Sequence, residues 1–230
     1  MATRAILRRL RLAGRIATPY QGFHVIVRPE YQSLGCLPPD QFIDTLMRHI
    51  GEKYYVALLS AAELHGAAHQ RPQLFYVAVS KARPIIECGR VQILFVKHAR
   101  IEAVAVQQMQ NDRGYFCVST PEATAIDLVA FAKRSAGLGN VATVLAELAE
   151  KIEEAKLVQQ ASLWAEPPWV QRLGYLLEVA GANDLAAALA AWVEERRPRH
   201  ALLEPRRPGG GSRLSERWRL WINADVEVDE

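Results

Sequence analysis

The central part of the chain carries an apolar run that ends in polar residues, YYVALLSAAELHGAAHQRP over residues 54–72. Ser60 and Glu63 stand within this run at the S-x-x-E spacing of a capping box, in which each side chain satisfies a backbone N–H of the first helical turn. The pattern therefore predicts a short buried helix that begins at Ser60 and ends near Gly66 or His69.

The polar exit from this predicted helix consists of His69, Gln70 and Arg71, followed by a proline. It is either an interaction surface or a loop that satisfies its own backbone groups. Arg83 and Arg90 flank the strands that follow and would extend a basic surface toward DNA or an acidic partner. The alternative is that these two side chains are simply solvated.

The first fifteen residues alternate apolar and basic positions with helical spacing. Six arginines precede Glu30, the first acidic residue, so this segment is purely cationic and attracts phosphate. Ile6, Leu7 and Leu10 share one face, while arginines recur every three or four residues beside it. The pattern predicts a helix that ends at Gly14.

A hairpin is predicted directly after this basic helix, because a Pro-Tyr-Gln-Gly turn signal separates a short strand from the β-rich run of residues 23–27. A basic helix followed by a hairpin resembles the recognition helix and wing of a winged helix-turn-helix domain, which dock in the major groove and on phosphate. The alternative is an amphipathic helix with solvated arginines. The predicted DNA-binding residues are Thr3, Arg4, Arg8, Arg9, Arg11, Arg15, Tyr20 and Gln21.

The remainder of the chain reads as helices, then strands, then helices. A Pro/Gly-punctuated connector places a domain boundary after Leu37, which gives a partial winged helix-turn-helix over 1–37 and a larger domain over 38–230. Residues 42–50 have the apolar face of a helix, and three β-rich runs over 74–79, 91–96 and 115–118 predict one small sheet. This order favours an α+β fold.

A second motif, VSTPEATAIDLVAFA over residues 118–132, predicts a helix start, because Ser119 and Glu122 repeat the capping-box spacing and Pro121 sits in the first turn. Asp127 lies among its apolar positions and either faces outward or has a buried partner. Further helices are predicted over 138–157, 169–180 and 184–195. An exposed Arg/Pro/Gly-rich loop over 196–213 and a terminal strand follow.

The composition of the chain argues against membrane-spanning, secreted, disulfide-rich and zinc-binding proteins. Half of the 230 residues are apolar, which is enough for a core, but no apolar run approaches the roughly 18 residues of a membrane span. The N-terminus lacks the apolar segment of a secretory signal, so we expect a cytoplasmic protein. Cys36, Cys88 and Cys117 are widely spaced without a C-x-x-C pair, which indicates small buried residues rather than a disulfide framework or a zinc site.

Catalytic and cofactor chemistry finds little support in the sequence. Ser60, His65, His69 and Asp127 supply the residue types of a hydrolase triad, yet no G-x-S-x-G motif is present, and Ser60 is explained as a helix cap. His65 and His69 stand four residues apart, but without the adjacent Glu of H-E-x-x-H or a third ligand. We expect no catalysis, no bound metal and no cofactor.

Both central motifs resemble strings of the AbiEi-type antitoxin family of bacterial type IV toxin–antitoxin, or abortive infection, systems. The chain also ends in a similar R-W-x-x-x-x-N…E pattern, at Arg217, Trp218, Asn223 and Glu227. The resemblance implies a non-catalytic antitoxin that counteracts a nucleotidyltransferase-like toxin through its larger C-terminal domain. It also implies repression of the shared promoter, through the winged helix, at an inverted repeat.

A transcriptional regulator without a toxin partner is the alternative, with a C-terminal domain that senses a ligand or dimerises. A complete winged helix has two further helices before the recognition helix, and this sequence begins almost at the recognition helix. We therefore expect that the natural start lies upstream or that the module is incomplete.

Overall fold

A computed structural model of the chain describes residues 2–67 and 73–228, with the side chains of residues 2–4 excepted. The chain forms two compact units, and each unit is built from three separate segments of the sequence. Unit 1 comprises Met1–Val56, Pro72–Ile101 and Val106–Val118, and unit 2 comprises Ala57–Arg71, Glu102–Ala105 and Ser119–Glu230. The predicted boundary after Leu37 does not coincide with a limit of unit 1; as a boundary between functional modules it stays a prediction.

Helix α1, Ala2–Leu12, opens unit 1 and ends in a Schellman motif, as the glycine signal predicts. Arg15 N donates to Leu10 O at 2.9 Å and Gly14 N donates to Arg11 O at 3.0 Å. Gly14 has a φ of +66°, a left-handed conformation that favours glycine at this position. The helix therefore stops at a fixed point, and the chain passes directly into a strand.

The predicted hairpin is formed by β1, Ile16–Tyr20, and β2, Phe23–Ile26, which pair antiparallel. Ala17, Phe23 and Val25 point into the core, while the intervening residues of β2 are exposed. This alternation follows from the period of two in a strand and leaves one face of the hairpin open to solvent.

A connector with two short 3₁₀ turns, Pro29–Tyr31 and Pro39–Gln41, leads to helix α2, Ile43–Ile50. Ile43, Leu46 and Met47 are buried, in agreement with the predicted apolar face. Gly51 closes the helix in a left-handed conformation.

Unit 1 is built on a six-stranded mixed sheet with the order β5-β6-β4-β3-β8-β7. The strands β4 and β6 are parallel, β3 pairs antiparallel with β4 and parallel with β8, and β5 forms a hairpin with β6. Their bounds are β3 Tyr54–Val56, β4 Phe75–Val79, β5 Ile86–Cys88, β6 Val91–Lys97, β7 Val106–Asn111 and β8 Gly114–Ser119.

Unit 2 is mainly helical, and its central helices α4 and α7 contact each other and α5, while α8 packs on α6 and α7. Leu128, Leu145, Leu173 and Leu176 are fully buried in its core. The helices are α3 Leu58–Leu64, α4 Pro121–Ala130, α5 Gly137–Leu148, α6 Glu154–Leu163, α7 Pro167–Val179 and α8 Asn183–Arg196.

A small sheet with the order β10-β11-β9 completes unit 2, formed by β9 Ala201–Leu202, β10 Arg213–Ser215 and β11 Leu220–Ile222. Gln171 of α7 holds this segment, because its amide nitrogen donates to the backbone carbonyls of Arg199, Trp218 and Arg219 at 2.9–3.1 Å. The predicted terminal strand is thus present, shortened to three residues.

The predicted α+β fold is confirmed, and the helix and hairpin at the N-terminus are consistent with the predicted partial winged helix-turn-helix. The predicted start of a helix at Ser60 is wrong: Tyr54–Val56 is a strand, and α3 begins at Leu58 after Ala57, without a side-chain cap. A continuous apolar run is compatible with a strand or with a helix, so the sequence pattern could not show that this strand precedes the helix.

Two further helix boundaries differ from the predictions. Thr120, not Ser119, caps α4, and its hydroxyl accepts a hydrogen bond from Ala123 N. The predicted helix over 138–157 is divided into α5 and α6 by a 3₁₀ turn, Ala149–Lys151, and by an extended Ile152. Within the described part of the chain, no helix is long and apolar enough to traverse a bilayer.

Candidate functional site

The basic helix presents its arginines to solvent. Arg8, Arg9, Arg11 and Arg15 are all exposed, whereas Leu7 and Leu10 are half-buried on the opposite side of α1. The side chains of Thr3 and Arg4, which were also predicted to contact DNA, lie outside the described residues. Arg8, Arg9 and Arg11 lie on the helix and Arg15 lies just beyond its end, and together they form an exposed cationic surface of the kind that a helix in the major groove presents to DNA.

The tip of the hairpin is exposed to solvent, and His49 of α2 contacts it. Tyr20 and Gln21 lie in the open, and His49 Nε2 contacts Gln21 O at 3.3 Å. Since a carbonyl can only accept, His49 donates through Nε2 in this contact. The His49 ring also lies 6.3 Å from the Tyr20 ring and 5.6 Å from the Phe23 ring. These contacts hold the tip in a defined position against α2.

The structure describes two of the five residues of the second predicted surface, Arg83 and Arg90. Arg83 forms an ion pair with Glu52 and is half-buried, so its charge is largely neutralised within unit 1. Arg90 is exposed at the turn between β5 and β6, where its backbone N–H donates to Leu34 O at 2.8 Å. His69, Gln70 and Arg71 lie outside the described residues. The role of these five residues in an interaction stays a prediction.

Glu52 is the centre of a small structural network at the end of α2. Its carboxylate accepts hydrogen bonds from Ser80 Oγ and Lys81 N, both at 2.9 Å, and from Arg83. Burial acts to raise the pKa of Glu52, but the hydrogen bonds from Ser80, Arg83 and Lys81 outweigh it and lower the pKa below its ordinary value. The network therefore stabilises the loop that carries Arg83.

The two sequence motifs meet in unit 2. His65 Nε2, at the end of α3, donates to Ser119 O at 2.8 Å, and the hydroxyls of Ser119 and Thr124 are 2.7 Å apart. Burial lowers the pKa of His65, so the neutral ring with the proton on Nε2 is favoured. The contact between His65 and Ser119 ties the residue before the cap of α4 to the end of α3.

Glu122 and Asp127 of the second motif are also buried, at 3% and 1% exposure. Glu122 accepts a hydrogen bond from Glu153 N at 3.0 Å and thereby ties α4 to the start of α6. Because Asp127 is buried, its side chain does not face outward. Glu122 thus links α4 to α6, and Asp127 lies buried within unit 2.

A hydrolase arrangement receives no geometric support from these residues. Ser60 is buried inside α3, at 1% exposure, and the His65 Nε2 proton is directed at a backbone carbonyl. His69 lies outside the described residues. Among those described, no group of three or more His, Cys, Asp or Glu side chains could hold a metal ion.

One contact was missed by the sequence analysis. Cys36 and Cys88 are buried side by side in unit 1, and Cys36 donates a hydrogen bond to Cys88, which raises the pKa of Cys36 and lowers the pKa of Cys88. The two cysteines are about fifty residues apart in the sequence. Cysteine spacing indicates only pairs that are close in sequence, so this pair could not be predicted. Cys117 is half-buried.

A family model, described as the AbiEi antitoxin C-terminal domain, matches residues 55–179. This segment is more than half of the chain, and it contains both central motifs. The chain belongs to the AbiEi antitoxin family. The matched segment runs from β3 to the end of α7 and so includes the contact between His65 and Ser119.

Among solved structures, the AbiEi protein is similar to the crystal structure of RV2827C protein from Mycobacterium tuberculosis. The match has a TM-score of 0.64 at 16% sequence identity, and it covers 95% of this chain and 78% of that chain. At this identity the likeness shows a shared fold. Comparison with curated proteins gives no significant match.

Proposed function

We propose that this protein is the antitoxin of a type IV toxin–antitoxin system, acting in the cytoplasm to counteract a nucleotidyltransferase-like toxin and to repress its own promoter. The observation that carries the proposal is the AbiEi antitoxin domain at residues 55–179. The exposed basic helix and anchored hairpin of unit 1 support the second activity. The family is one of antitoxins rather than enzymes.

Repression would place α1 in the major groove and the hairpin tip on an adjacent phosphate or in the minor groove. Arg8, Arg9, Arg11 and Arg15 would supply charge-assisted contacts to phosphate, and Tyr20 and Gln21 would contact the backbone from the tip. A single small module buries little surface, so two copies on an inverted repeat would be needed for specific binding.

The purified chain should bind the duplex upstream of its own gene more tightly than a scrambled duplex of equal length. Fluorescence anisotropy at several salt concentrations measures both affinities. Selective binding supports the repressor activity. Equal and weak binding to both duplexes would remove promoter repression from the proposal and leave neutralisation alone.

Neutralisation is assigned to the larger domain, and the route to the toxin is either direct contact or action on the target of the toxin. A direct route would use an exposed polar surface, for which residues 69–71, Arg83 and Arg90 are our candidates. Arg90 is the exposed member of this set among the described residues, whereas Arg83 already pairs with Glu52. Arg90 is therefore the first position to change in a test of contact with the toxin.

A further inference from the structure

Unit 2 contains a cavity of about 600 Å³ that has no role in DNA binding or in the contacts between the two motifs. Its volume lies within the range of about 300–1,000 Å³ that small-molecule sites occupy. The walls come from the end of α4 and the turn after it, from the start of α5, from α7 and from the segment between β9 and β10.

Basic side chains dominate the polar part of this cavity. Among the described residues that line it, Glu204 is the only acid, against five basic residues, which are Lys133, Arg134, Arg172, Arg206 and Arg207. A concave site lined by charges of one sign focuses the field and raises the local concentration of counter-ions. Guanidinium groups also match phosphate oxygens through paired N–H donors.

Arg172 of α7 is held in the cavity wall by a hydrogen bond to the backbone. It is half-buried, and its Nε donates to Leu202 O at 3.0 Å, which uses one of the five N–H donors that a guanidinium carries. Burial lowers the pKa of Arg172 from its ordinary value. A partly desolvated guanidinium gains more from an anion than a solvated one does, because the local dielectric constant is lower.

The loop that carries Arg206 and Arg207 is fixed by Asn223 from the C-terminal segment. Asn223 Oδ1 accepts from Glu204 N at 2.9 Å, and Asn223 Nδ2 donates to Glu204 O and Arg207 O at 2.9 and 3.1 Å. A loop held at both ends presents its arginines in a defined position, which reduces the entropy lost on binding. Asn223 therefore organises one wall of the cavity.

Apolar side chains form the rest of the lining, and they include Val129, Phe131, Leu138, Leu203 and Pro205. Inorganic phosphate alone would leave this wall in contact with water. An organic group joined to the phosphate would cover it, and the hydrophobic effect would add to the electrostatic attraction.

We propose that this cavity binds a small organic phosphate of nucleotide size. Its phosphates would contact the arginines from α7 and from the loop held by Asn223, and its organic part would cover the apolar wall. The inference goes beyond the proposed function, because it requires neither a toxin nor DNA. It assigns a ligand site to the antitoxin domain and its C-terminal extension.

Isothermal titration of the full chain with each of the four ribonucleoside triphosphates, in low-salt buffer with EDTA, tests this assignment. At least one nucleotide should bind with a dissociation constant below about 1 mM. The Arg206→Ala/Arg207→Ala variant should weaken that binding by about tenfold or more, because it removes two charge-assisted contacts on an exposed loop.

The matched control is Arg8→Ala/Arg11→Ala, which removes the same charge from the other basic surface and should leave nucleotide binding unchanged. Equal weakening by both double variants would overturn the assignment, since it would indicate non-specific attraction. The absence of binding for all four nucleotides would also overturn it. The nucleoside of the nucleotide that binds lacks the phosphates and should bind at least about tenfold more weakly; binding of the nucleoside as tight as that of the nucleotide would contradict the role of the arginines.

Discussion

Single arginines on α1 determine how DNA binding should respond to salt. Each phosphate contact releases condensed counter-ions and contributes about −0.9 to the slope of log affinity against log salt. We expect Arg8→Ala to make this slope less steep by about 0.9, because Arg8 is exposed on the cationic face. The control is Arg113→Ala, at the exposed turn between β7 and β8, which should leave the slope unchanged. An unaltered slope for Arg8→Ala would exclude that residue from the interface.

His98 should make stability depend on mildly acidic pH. It is 3% exposed, and burial, with a smaller effect of Arg100, lowers the pKa of His98 to about 4 from 6.5. Between these two values the unfolded chain binds a proton that the folded chain does not. Stability therefore falls as pH decreases through this window, by up to about 1.4 kcal/mol per pH unit.

Urea unfolding at several pH values between about 7 and 4 measures this dependence. The His98→Gln variant should reduce the slope, because glutamine does not titrate. Identical slopes for the parent chain and His98→Gln would show that other groups cause the acid sensitivity.

At the scale of elements, the packing of α7 against the C-terminal segment depends on Gly174. A Cβ at this position would lie 2.0 Å from Cζ3 of the buried Trp218 ring, closer than any van der Waals contact. Gly174→Ala should therefore destabilise the protein by about 1–3 kcal/mol, although alanine is the better helix former by about 1 kcal/mol.

Gly139→Ala is the matched control, because Gly139 lies within α5 and, among the described residues, its added Cβ would meet Glu227 O alone, at an ordinary 3.7 Å. This change should leave stability equal or raise it by up to about 1 kcal/mol. Chemical denaturation of both variants provides the comparison. A Gly174→Ala variant as stable as Gly139→Ala would mean that the Trp218 ring can move away at little cost.

The accuracy of the sequence-based predictions also varies by element. The hairpin, α2, α7 and α8 were placed within about two residues. The hairpin has a turn signal, α2 has an apolar face, and α7 and α8 are rich in Leu and Ala. The strand Val106–Asn111 was missed because its side chains are mostly polar and exposed at a sheet edge, without apolar alternation. Its neighbour β8 and the more distant strand β6 were predicted, because both are rich in β-branched and aromatic residues.

The two candidate sites, the basic helix and the cavity of unit 2, also differ in how far the sequence could predict them. The arginines of α1 lie within one short segment of the sequence, at three- to four-residue spacing, so the basic helix could be recognised before the structure was known. The cavity of unit 2 is assembled from segments around residues 129–138, at Arg172 and over 203–207. No local pattern joins these segments, and their proximity follows only from the packing of α4, α5 and α7.

At the scale of the whole molecule, the chain combines an antitoxin domain at residues 55–179 with an exposed basic helix and hairpin at its N-terminus. The two proposed activities use different residues and should be separable. The Arg8→Ala/Arg11→Ala variant should lose promoter binding and keep neutralisation. A chain without a toxin partner would show promoter binding alone.

Co-expression with the product of the neighbouring gene is the most direct test of the central claim. That product should arrest growth when it is induced alone, and the antitoxin should restore growth when both are induced. Arg8→Ala/Arg11→Ala should restore growth equally well, with both genes under foreign promoters so that repression plays no part. Growth arrest that persists at matched toxin levels, despite folded and abundant antitoxin, would contradict the antitoxin assignment and favour a regulator without a toxin partner.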